Sequence, residues 1–428
     1  MEKSSHIAIS VYLLALVLLS HSAFGGNRIV SWGNNVEPPR NSNVEGISAG
    51  LHHSLAFTED GELLAWGDNS FGQSEVSSIR VRAVAAGGWH SLAITDEGNV
   101  VAWGNNGSGQ TSVPGLAANN AIAVSAGFLH SLALRNNGRV VAWGDSQFGQ
   151  IFVPPTLSHV VQISAGAFHN VALRSMGDVV VWGDNTHWNL LIPEKARSGV
   201  IAVAAGYYHT LALTEGGEVI AWGDNEFGQC DVPEAARSNV VSIAAGQSHS
   251  LALLEDGEVV VWGQRDLLLG ARRPGGLARG QVSAIAAGGA HSLALVPHDA
   301  DSNGNGIPDW WLLEYGLDPL AAVGPDHDSD GDGFSDVEEY IAGTNPSDAS
   351  CFLRMTVVPG QDGVTRSVQV ESASRERVYL LEVAVDLSND EWRPMHVAMS
   401  MNGEAEGGEF VLNTSKPFGI FRIRASLP

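Results

Sequence analysis

Seven histidines recur in one frame: His53, His90, His130, His169, His209, His249 and His291, each closing an Ala-Gly-x-x-His motif. An imidazole can act as a base or a metal ligand near neutral pH. A reaction site, however, is unique to one place in a chain, whereas a residue present in every repeat serves every repeat alike. The expected role is therefore structural, a hydrogen bond from each ring to a neighbouring loop. Seven Trp-Gly pairs alternate with these motifs, at Trp32, Trp66, Trp103, Trp143, Trp182, Trp222 and Trp262, and are expected to pack between repeats. No Ser-His-Asp order, phosphate-binding glycine loop or cysteine cluster stands out. His187 and His327 stand alone and read as solvated. Cys230 and Cys351 fall in different predicted segments, so no bridge between them is expected.

A second set of residues carries metal chemistry. Asp328-x-Asp330-x-Asp332-Gly333-x-x-Asp336-x-x-Glu339 has the oxygen spacing of a calcium loop. The first three carboxylates, the Phe334 carbonyl, Asp336 and a bidentate Glu339 would surround the ion, with Gly333 making the sharp turn. Without a cation these carboxylates repel one another. A related run, Asp301-x-Asn303-x-Asn305-Gly306-x-x-Asp309, has Leu312 where the closing glutamate is expected. The cofactor implied is Ca2+, in a structural role.

The histidines must sit on strands. Ser250-Leu251-Ala252-Leu253 alternates large and small residues with period two. Asp256-Gly257 is a hairpin signal, read as a tight primed turn with Gly supplying positive φ. Glu258-Val259-Val260-Val261-Trp262 returns as a β-branched strand. The turn recurs at Asp60-Gly61, Glu97-Gly98, Asn137-Gly138, Met176-Gly177 and Gly216-Gly217. An earlier strand such as Val240-Val241-Ser242-Ile243-Ala244-Ala245 precedes each hairpin. The period is roughly 40 residues, the range of four-stranded propeller blades. The array opens with half a unit, Ile29–Gly33, and closes with the other half, Ala287–Leu295. A linear stack gives no reason for this cut. A ring does, because the first strand can complete the last unit and remove the exposed edge.

The 428 residues exceed one domain, and the net charge is -24. That balance argues against nucleic acid and anionic membrane as partners. Much of the excess lies between Arg279 and Arg354, a stretch without Lys or Arg. Lys3, the apolar run Ile7–Leu19 and the small residues after it read as an export signal, cleaved after Ser22 or Gly25. No other run is apolar enough to span a bilayer. The expected localisation is secreted, periplasmic or cell surface, with the chain a monomer.

The Ala-Gly-x-x-His-Ser-Leu-Ala-Leu strand, the Asp-Gly turn and Val-x-x-Trp-Gly-x-Asn-x-x-Gly-Gln resemble the RCC1 (regulator of chromosome condensation) repeat family, from Ile29 to Val296. The linkers Val232–Val240 and Ile192–Val200 resemble its secreted bacterial branch, which includes a propeller-type β-lactamase inhibitory protein. The resemblance implies an all-β fold, a seven-bladed propeller closed by its terminal strands. The two acidic runs, with Glu339-Tyr340-Ile341-Ala342-Gly343-Thr344-Asn345-Pro346, resemble thrombospondin type 3 repeats of the bacterial form. From Cys351 onward alternating strands resemble small terminal β-sandwich domains. The boundaries are 1–25 for the signal, 26–297 for the propeller, 298–349 for the calcium-binding spacer and 350–428 for the terminal domain.

What varies inside the fixed frame indicates function. The two residues before each histidine fall on one face, and there the chain places His52, Trp89, Phe128, Leu129, Phe168, Tyr207 and Tyr208. Loops after Trp-Gly add Trp188, Phe71, Phe148 and Phe227, with Asp68, Asp145, Asp184 and Asp224. Rigid aromatics ringed by acids bury large area at small entropic cost. In the family's inhibitory member, loops at these two places make the protein-binding face. The expectation is a non-enzymatic exported binding protein, acting on a β-lactamase-type enzyme in one version. Alternatives are an exported enzyme acting on glycans and, less favoured, a guanine-nucleotide exchange factor, for which the chain lacks the basic character.

Overall fold

The computed structural model describes residues 27–33, 38–39, 43–76, 78–187, 190–264 and 282–297, scattered residues between 307 and 348, and seven strands between 354 and 426. It divides into two compact units, Met1–Ala300 and Asp301–Pro428.

In the first unit β1 spans Asn27–Gly33, and six sheets of three strands follow. They are β2 Val44–Ala49, β3 His53–Thr58 and β4 Leu63–Gly67; β5 Val81–Ala86, β6 His90–Thr95 and β7 Val100–Gly104; β8 Ala121–Ala126, β9 His130–Arg135 and β10 Val140–Gly144. Then come β11 Val160–Ala165, β12 His169–Arg174 and β13 Val179–Gly183; β14 Val200–Ala205, β15 His209–Thr214 and β16 Val219–Gly223; β17 Val240–Ala245, β18 His249–Leu254 and β19 Val259–Gly263. β20 Ala284–Ala287 and β21 His291–Pro297 form the seventh sheet with β1, in the order β1-β21-β20. There Trp32 lies opposite Ser292 and Gly33 opposite His291. Trp66 and Gly67 face Ser54 and His53 in the same register.

The histidine strand is the middle one in every sheet. It is buried on both faces, as in β3 and β6, because adjacent sheets pack face to face. One cluster joins Leu92, Ile94 and Val100 of the second sheet to Ala121, Val124, Ala133 and Trp143 of the third. Each fully buried leucine of this kind contributes about 1.5–3 kcal/mol.

Two local expectations fail for stated reasons. The hairpins do not use primed two-residue turns. Thr58 N–H donates to the Glu62 carbonyl and Gly61 N–H to Thr58, giving a three-residue loop in which Gly61 alone has positive φ, +78°. Nor is there a fourth strand in any of these sheets among the described residues. The linkers run through Pro114, Pro154, Pro193 and Pro233, the last two each opening a single 3-10 turn, Glu194–Ala196 and Glu234–Ala236, and proline cannot donate to a ladder.

The sheets converge on a central cavity of about 250 Å³, lined by the innermost strands with small residues such as Ala49, Ala86, Ala126, Ala165, Ala205 and Ala245. Spacing there is set by the motif glycines. A Cβ on Gly50, Gly87, Gly127, Gly166, Gly206, Gly246 or Gly288 would lie within 2.7 Å of the carbonyl oxygen of the next glycine in the series, and Gly288 meets Gly50. A second series of backbone bonds follows the same path. Leu51 N–H donates to Gly87 at 3.1 Å, Tyr207 to Gly246 at 3.1 Å and Gly289 back to Gly50 at 2.9 Å.

The second unit has its own small core of Ile307, Trp311, Leu312 and Tyr340. Helix α1 spans Asp336–Ala342. Seven further strands, β22 Arg354–Pro359, β23 Thr365–Glu371, β24 Val378–Asp386, β25 Glu391–Pro394, β26 Met399–Met401, β27 Gly407–Asn413 and β28 Ile420–Ser426, form antiparallel sheets in the orders β22-β23-β27-β26 and β25-β24-β28.

Gly127→Ala should destabilise the first unit by about 1–3 kcal/mol, since the new methyl group meets the Gly166 carbonyl and the His130 ring. Gly115→Ala, with open space around it, should change stability by less than about 0.5 kcal/mol. Denaturant unfolding of both variants distinguishes a steric spacer from a merely permissive glycine.

Candidate functional site

The seven histidines are almost fully buried. Each Nε2 reaches the middle strand of the next sheet, not a loop as the sequence led us to expect. The partners are Ser91 for His53 at 2.9 Å, Ser131 for His90 at 2.9 Å, Asn170 for His130 at 2.7 Å and Thr210 for His169 at 2.9 Å. Ser250 serves His209 at 3.0 Å, Ser292 serves His249 at 3.0 Å, and His291 returns to Ser54 at 2.9 Å. Ser91 spends its own O–H on the Gln73 carbonyl at 2.8 Å, so it must accept from His53. The ring proton therefore sits on Nε2. Ser131 with Gln110 and Ser250 with Gln229 repeat the arrangement.

Nδ1 of His53, His90, His130, His169, His209 and His249 has no hydrogen-bond partner among the described residues. Protonating it would bury an uncompensated charge. Burial accordingly lowers the imidazoles to about 4 at His53, His130, His169, His249 and His291, and to about 3 at His90 and His209. These rings hold sheets together and are not poised for acid–base work. Cys230 is likewise unsuited to nucleophilic work: it donates to the Asp224 carbonyl at 3.1 Å, and burial pushes its thiol up to about 12.

The loops above the histidines are fixed by a repeated clamp. The Gln73 carbonyl accepts from Trp103 Nε1 at 2.9 Å as well as from Ser91. Its side-chain amide donates to Asp68 at 2.7 Å, and its Oε1 accepts from Phe71 N–H at 2.8 Å. Gln110, Gln150 and Gln229 repeat this, with Trp143, Trp182 and Trp262 as the next sheet's donors. Each of these four tryptophans thus anchors its neighbour's loop, whereas Nε1 of Trp32 and Trp66 has no hydrogen-bond partner among the described residues.

On this frame the variable residues gather. Trp89, Phe128, Leu129, Phe168, Tyr207 and Tyr208 are all half-buried, and His52 is exposed. Trp188 lies outside the described residues. The aromatic rings form a continuous arc. Phe71 meets Trp89 at 6.2 Å between centroids, Trp89 meets Phe128 at 4.5 Å, Phe128 meets Phe168 at 5.6 Å, and Phe168 meets Tyr208 at 6.0 Å. Phe148 joins at Phe168, 5.1 Å away.

The arc crosses the fourth sheet because Ala167 is small and buried. Phe128 there touches Tyr207 of the fifth sheet at 5.5 Å. The backbone series shifts by one residue at the same place, Phe128 N–H donating to Ala167 and Ala167 to Tyr207. Burial raises the Tyr207 hydroxyl. At Tyr208 burial leads and the charges of Asp184 and Asp224 add to the rise.

Three further side chains escaped the sequence reading. His187, expected to be solvated, stacks on Tyr208 at 4.5 Å and lies 3.8 Å from Asp224. Phe152 and Leu191, 69% and 58% exposed, stand in the linkers that follow the third and fourth sheets. Their signal was in the alignment of the linkers. The residue before Val-Pro or Ile-Pro is Ser112, Phe152, Leu191 and Asp231 in successive repeats.

In the second unit Gly331, at φ +78°, donates its N–H to Asp328 at 2.7 Å. Asp336 accepts from Ser329 N–H at 2.9 Å, and it pairs with His327 at 3.0 Å, so His327 is not simply solvated. Asp336 and Glu339 are each 1% exposed. Carboxylates so buried demand a counter-charge or donors, and hard oxygen ligands on a tight loop fit calcium. Asp330 is described nearby. Asp332, Phe334 and the whole set Asp301, Asn303, Asn305 and Asp309 lie outside the described residues. Among the described residues no three His, Cys, Asp or Glu side chains converge as a metal cluster.

These features define a repeat propeller with a variable loop face. Six segments, 44–73, 81–110, 121–150, 160–187, 200–229 and 240–265, match the Regulator of chromosome condensation (RCC1) repeat, and residues 328–349 match the bacterial TSP3 repeat. The chain therefore carries RCC1 repeats. Its seventh unit is divided between the two ends of the array. Among solved structures it is similar to Prp20p from Saccharomyces cerevisiae, described with its binding to Gsp1p and histones. Identity is 19% and the TM-score 0.53, over 69% of this chain and 96% of that one. It is also similar to yeast RCC1 (Prp20) in complex with Kap60, at 19% identity and TM-score 0.54, over 69% and 95%. These likenesses show the fold. No curated protein matches the chain. Among the described residues no helix is long and apolar enough to cross a membrane.

The buried histidines make acid stability a direct test. An unfolded imidazole titrates near 6.5 and these rings near 4 or below, so the unfolded chain binds more protons across that window. The contribution is fully present above about pH 6.5 and is lost as pH falls toward 4, each ring adding up to about 1.4 kcal/mol per pH unit. Thermal melts at pH 7.5, 6, 5 and 4 should show the first unit's transition falling steeply below 6.5. A flat profile would mean the rings are protonated or solvated in the fold.

Proposed function

We propose that this chain is an exported, non-enzymatic binding protein: a closed seven-bladed propeller that presents its aromatic arc to a protein partner. The arc itself carries the reading. Five of the seven sheets are as symmetric as the others in their buried residues, yet rings from Phe71 to Tyr208 cluster on one side of one face. A core does not require this, and recognition does. A standard interface takes roughly 800 Å² per partner, which part of a propeller face can supply. Closure is supported by the pairing of β1 with β21 and by the His291–Ser54 bond. Of the similar solved structures, one is described with its binding to Gsp1p and histones and the other bound to Kap60. The apolar leader supports export. Inhibition of an exported β-lactamase-type enzyme is the specific version of this function.

Calcium has a structural place in the second unit. Asp328, Asp330, Asp332, the Phe334 carbonyl, Asp336 and Glu339 would hold it, and Asp301, Asn303, Asn305 and Asp309 would hold a second ion. The oxygen spacing, the TSP3 match and the burial of Asp336 and Glu339 support this. The ion neutralises the loop and stiffens a spacer between the propeller and the terminal strands.

Trp89→Ala combined with Phe148→Ala should remove partner capture from the source organism's exported proteins, or inhibition of a purified β-lactamase, while shifting the melting temperature by only a few degrees. A large loss of stability would show that these rings are core, and unchanged capture would reject the face. Chelating calcium should lower the melting transition of the second unit and spare the first; superimposed thermograms with and without chelator would end the metal assignment.

A further inference from the structure

The loop after Trp182 breaks the rule that holds its counterparts. Asp68, Asn105, Asp145 and Asp224 each accept a hydrogen bond from the side-chain amide of a glutamine five residues on, at 2.7, 3.1, 2.6 and 2.8 Å. At the corresponding place after Asp184 stands Asn189. Asp184 keeps the bonds from Thr186 N–H and Oγ1, both on Oδ1. No described residue donates to its Oδ2. Yet Asp184 is 8% exposed, buried where its four counterparts are half-buried.

Beside it the aromatic arc ends. The Tyr208 ring lies 6.0 Å from Phe168 and 4.5 Å from His187, and His187 Nδ1 is 3.8 Å from Asp224. Asp184 N–H donates to the Phe168 carbonyl at 2.9 Å and Asp224 N–H to the Tyr208 carbonyl at 2.8 Å, so the two acidic residues stand beside the last two rings of the arc. The described Lys and Arg residues of the first unit lie at the opposite, hairpin-turn end of the strands or in the linkers leading to it. Arg135 and Arg174 end β9 and β12 at that end, and Lys195 pairs with Glu218 just after a turn. A half-satisfied buried carboxylate next to electron-rich rings, with no described lysine or arginine at hand, fits a cation brought from outside.

We propose that this corner, formed by Asp184, Asp224, Phe168 and Tyr208, receives an arginine side chain of the protein partner. The guanidinium stacks on Tyr208 and its fork meets Asp184, a geometry that a compact ammonium fills less well. The assignment rests on the recognition-face reading above and adds the partner's chemistry to it.

The probe is N-acetyl-arginine amide, titrated into the full chain and followed by saturation-transfer NMR, with the neutral isostere N-acetyl-citrulline amide beside it. Saturable binding of the arginine probe with no matching citrulline signal is the expected result and needs no substitution. Asp184→Asn and Tyr208→Leu, each checked by its melting temperature, should weaken the arginine probe by about tenfold. Asp60→Asn, in the exposed hairpin turn of the first sheet, should leave it unchanged. Equal binding of citrulline, an unaltered titration in both Asp184→Asn and Tyr208→Leu, or an equal loss in Asp60→Asn would overturn the proposal. The face as a whole is judged separately by the Trp89 and Phe148 variant, so an indifferent arginine probe alongside lost partner capture rejects this corner and retains the surface.

Discussion

The separation of neighbouring sheets at the centre of the first unit is set by a glycine Cα lying against a carbonyl oxygen, seven times over. Everything above that contact follows from it. Sheets held this close put each histidine within reach of the next middle strand, and the hydroxyl or amide there fixes the ring's tautomer. That same group and the neighbouring tryptophan close on one glutamine carbonyl, which pins the loop. The loop residues are therefore presented by a frame that holds itself together without them, and they can vary without disturbing it.

Variation within that frame is uneven. Where the motif carries Gly88-Trp89, Phe128-Leu129, Ala167-Phe168 and Tyr207-Tyr208, large rings alternate with a small residue that lets them pass over one another. Elsewhere the same positions hold Gln247-Ser248 and Gly289-Ala290. The contact of Phe128 with Tyr207 across Ala167 makes one surface from three sheets. Rings that already pack together lose little freedom when a partner covers them, which favours tight association per unit area.

Much of this was legible in the sequence because the repeat exposes its own frame. Strand positions, the burial of histidine and tryptophan, and the face carrying the variable residues all follow from period-two alternation and from alignment of one unit with the next. Details set by three-dimensional neighbours were not legible. The Gly61 turn looks primed from Asp-Gly alone, but the loop has three residues. The linker looked long enough for a fourth strand until its prolines are weighed. His187 looked solvated because its stacking partner, Tyr208, belongs to the following repeat. Phe152 and Leu191 were hidden in linkers judged only by their Val-Pro ending. In the acidic segment, the pairing of His327 with Asp336 depends on the loop's backbone path, which spacing alone does not give.

The seventh sheet draws β1 from one extreme of the repeat array and β20 and β21 from the other. Its native contacts are therefore among the most distant in sequence that the first unit makes, and such pairings raise contact order and slow folding. A chain emerging from its amino end would hold β1 without a mate until the last hairpin arrives, and the first sheet would meanwhile offer an open flank to other molecules.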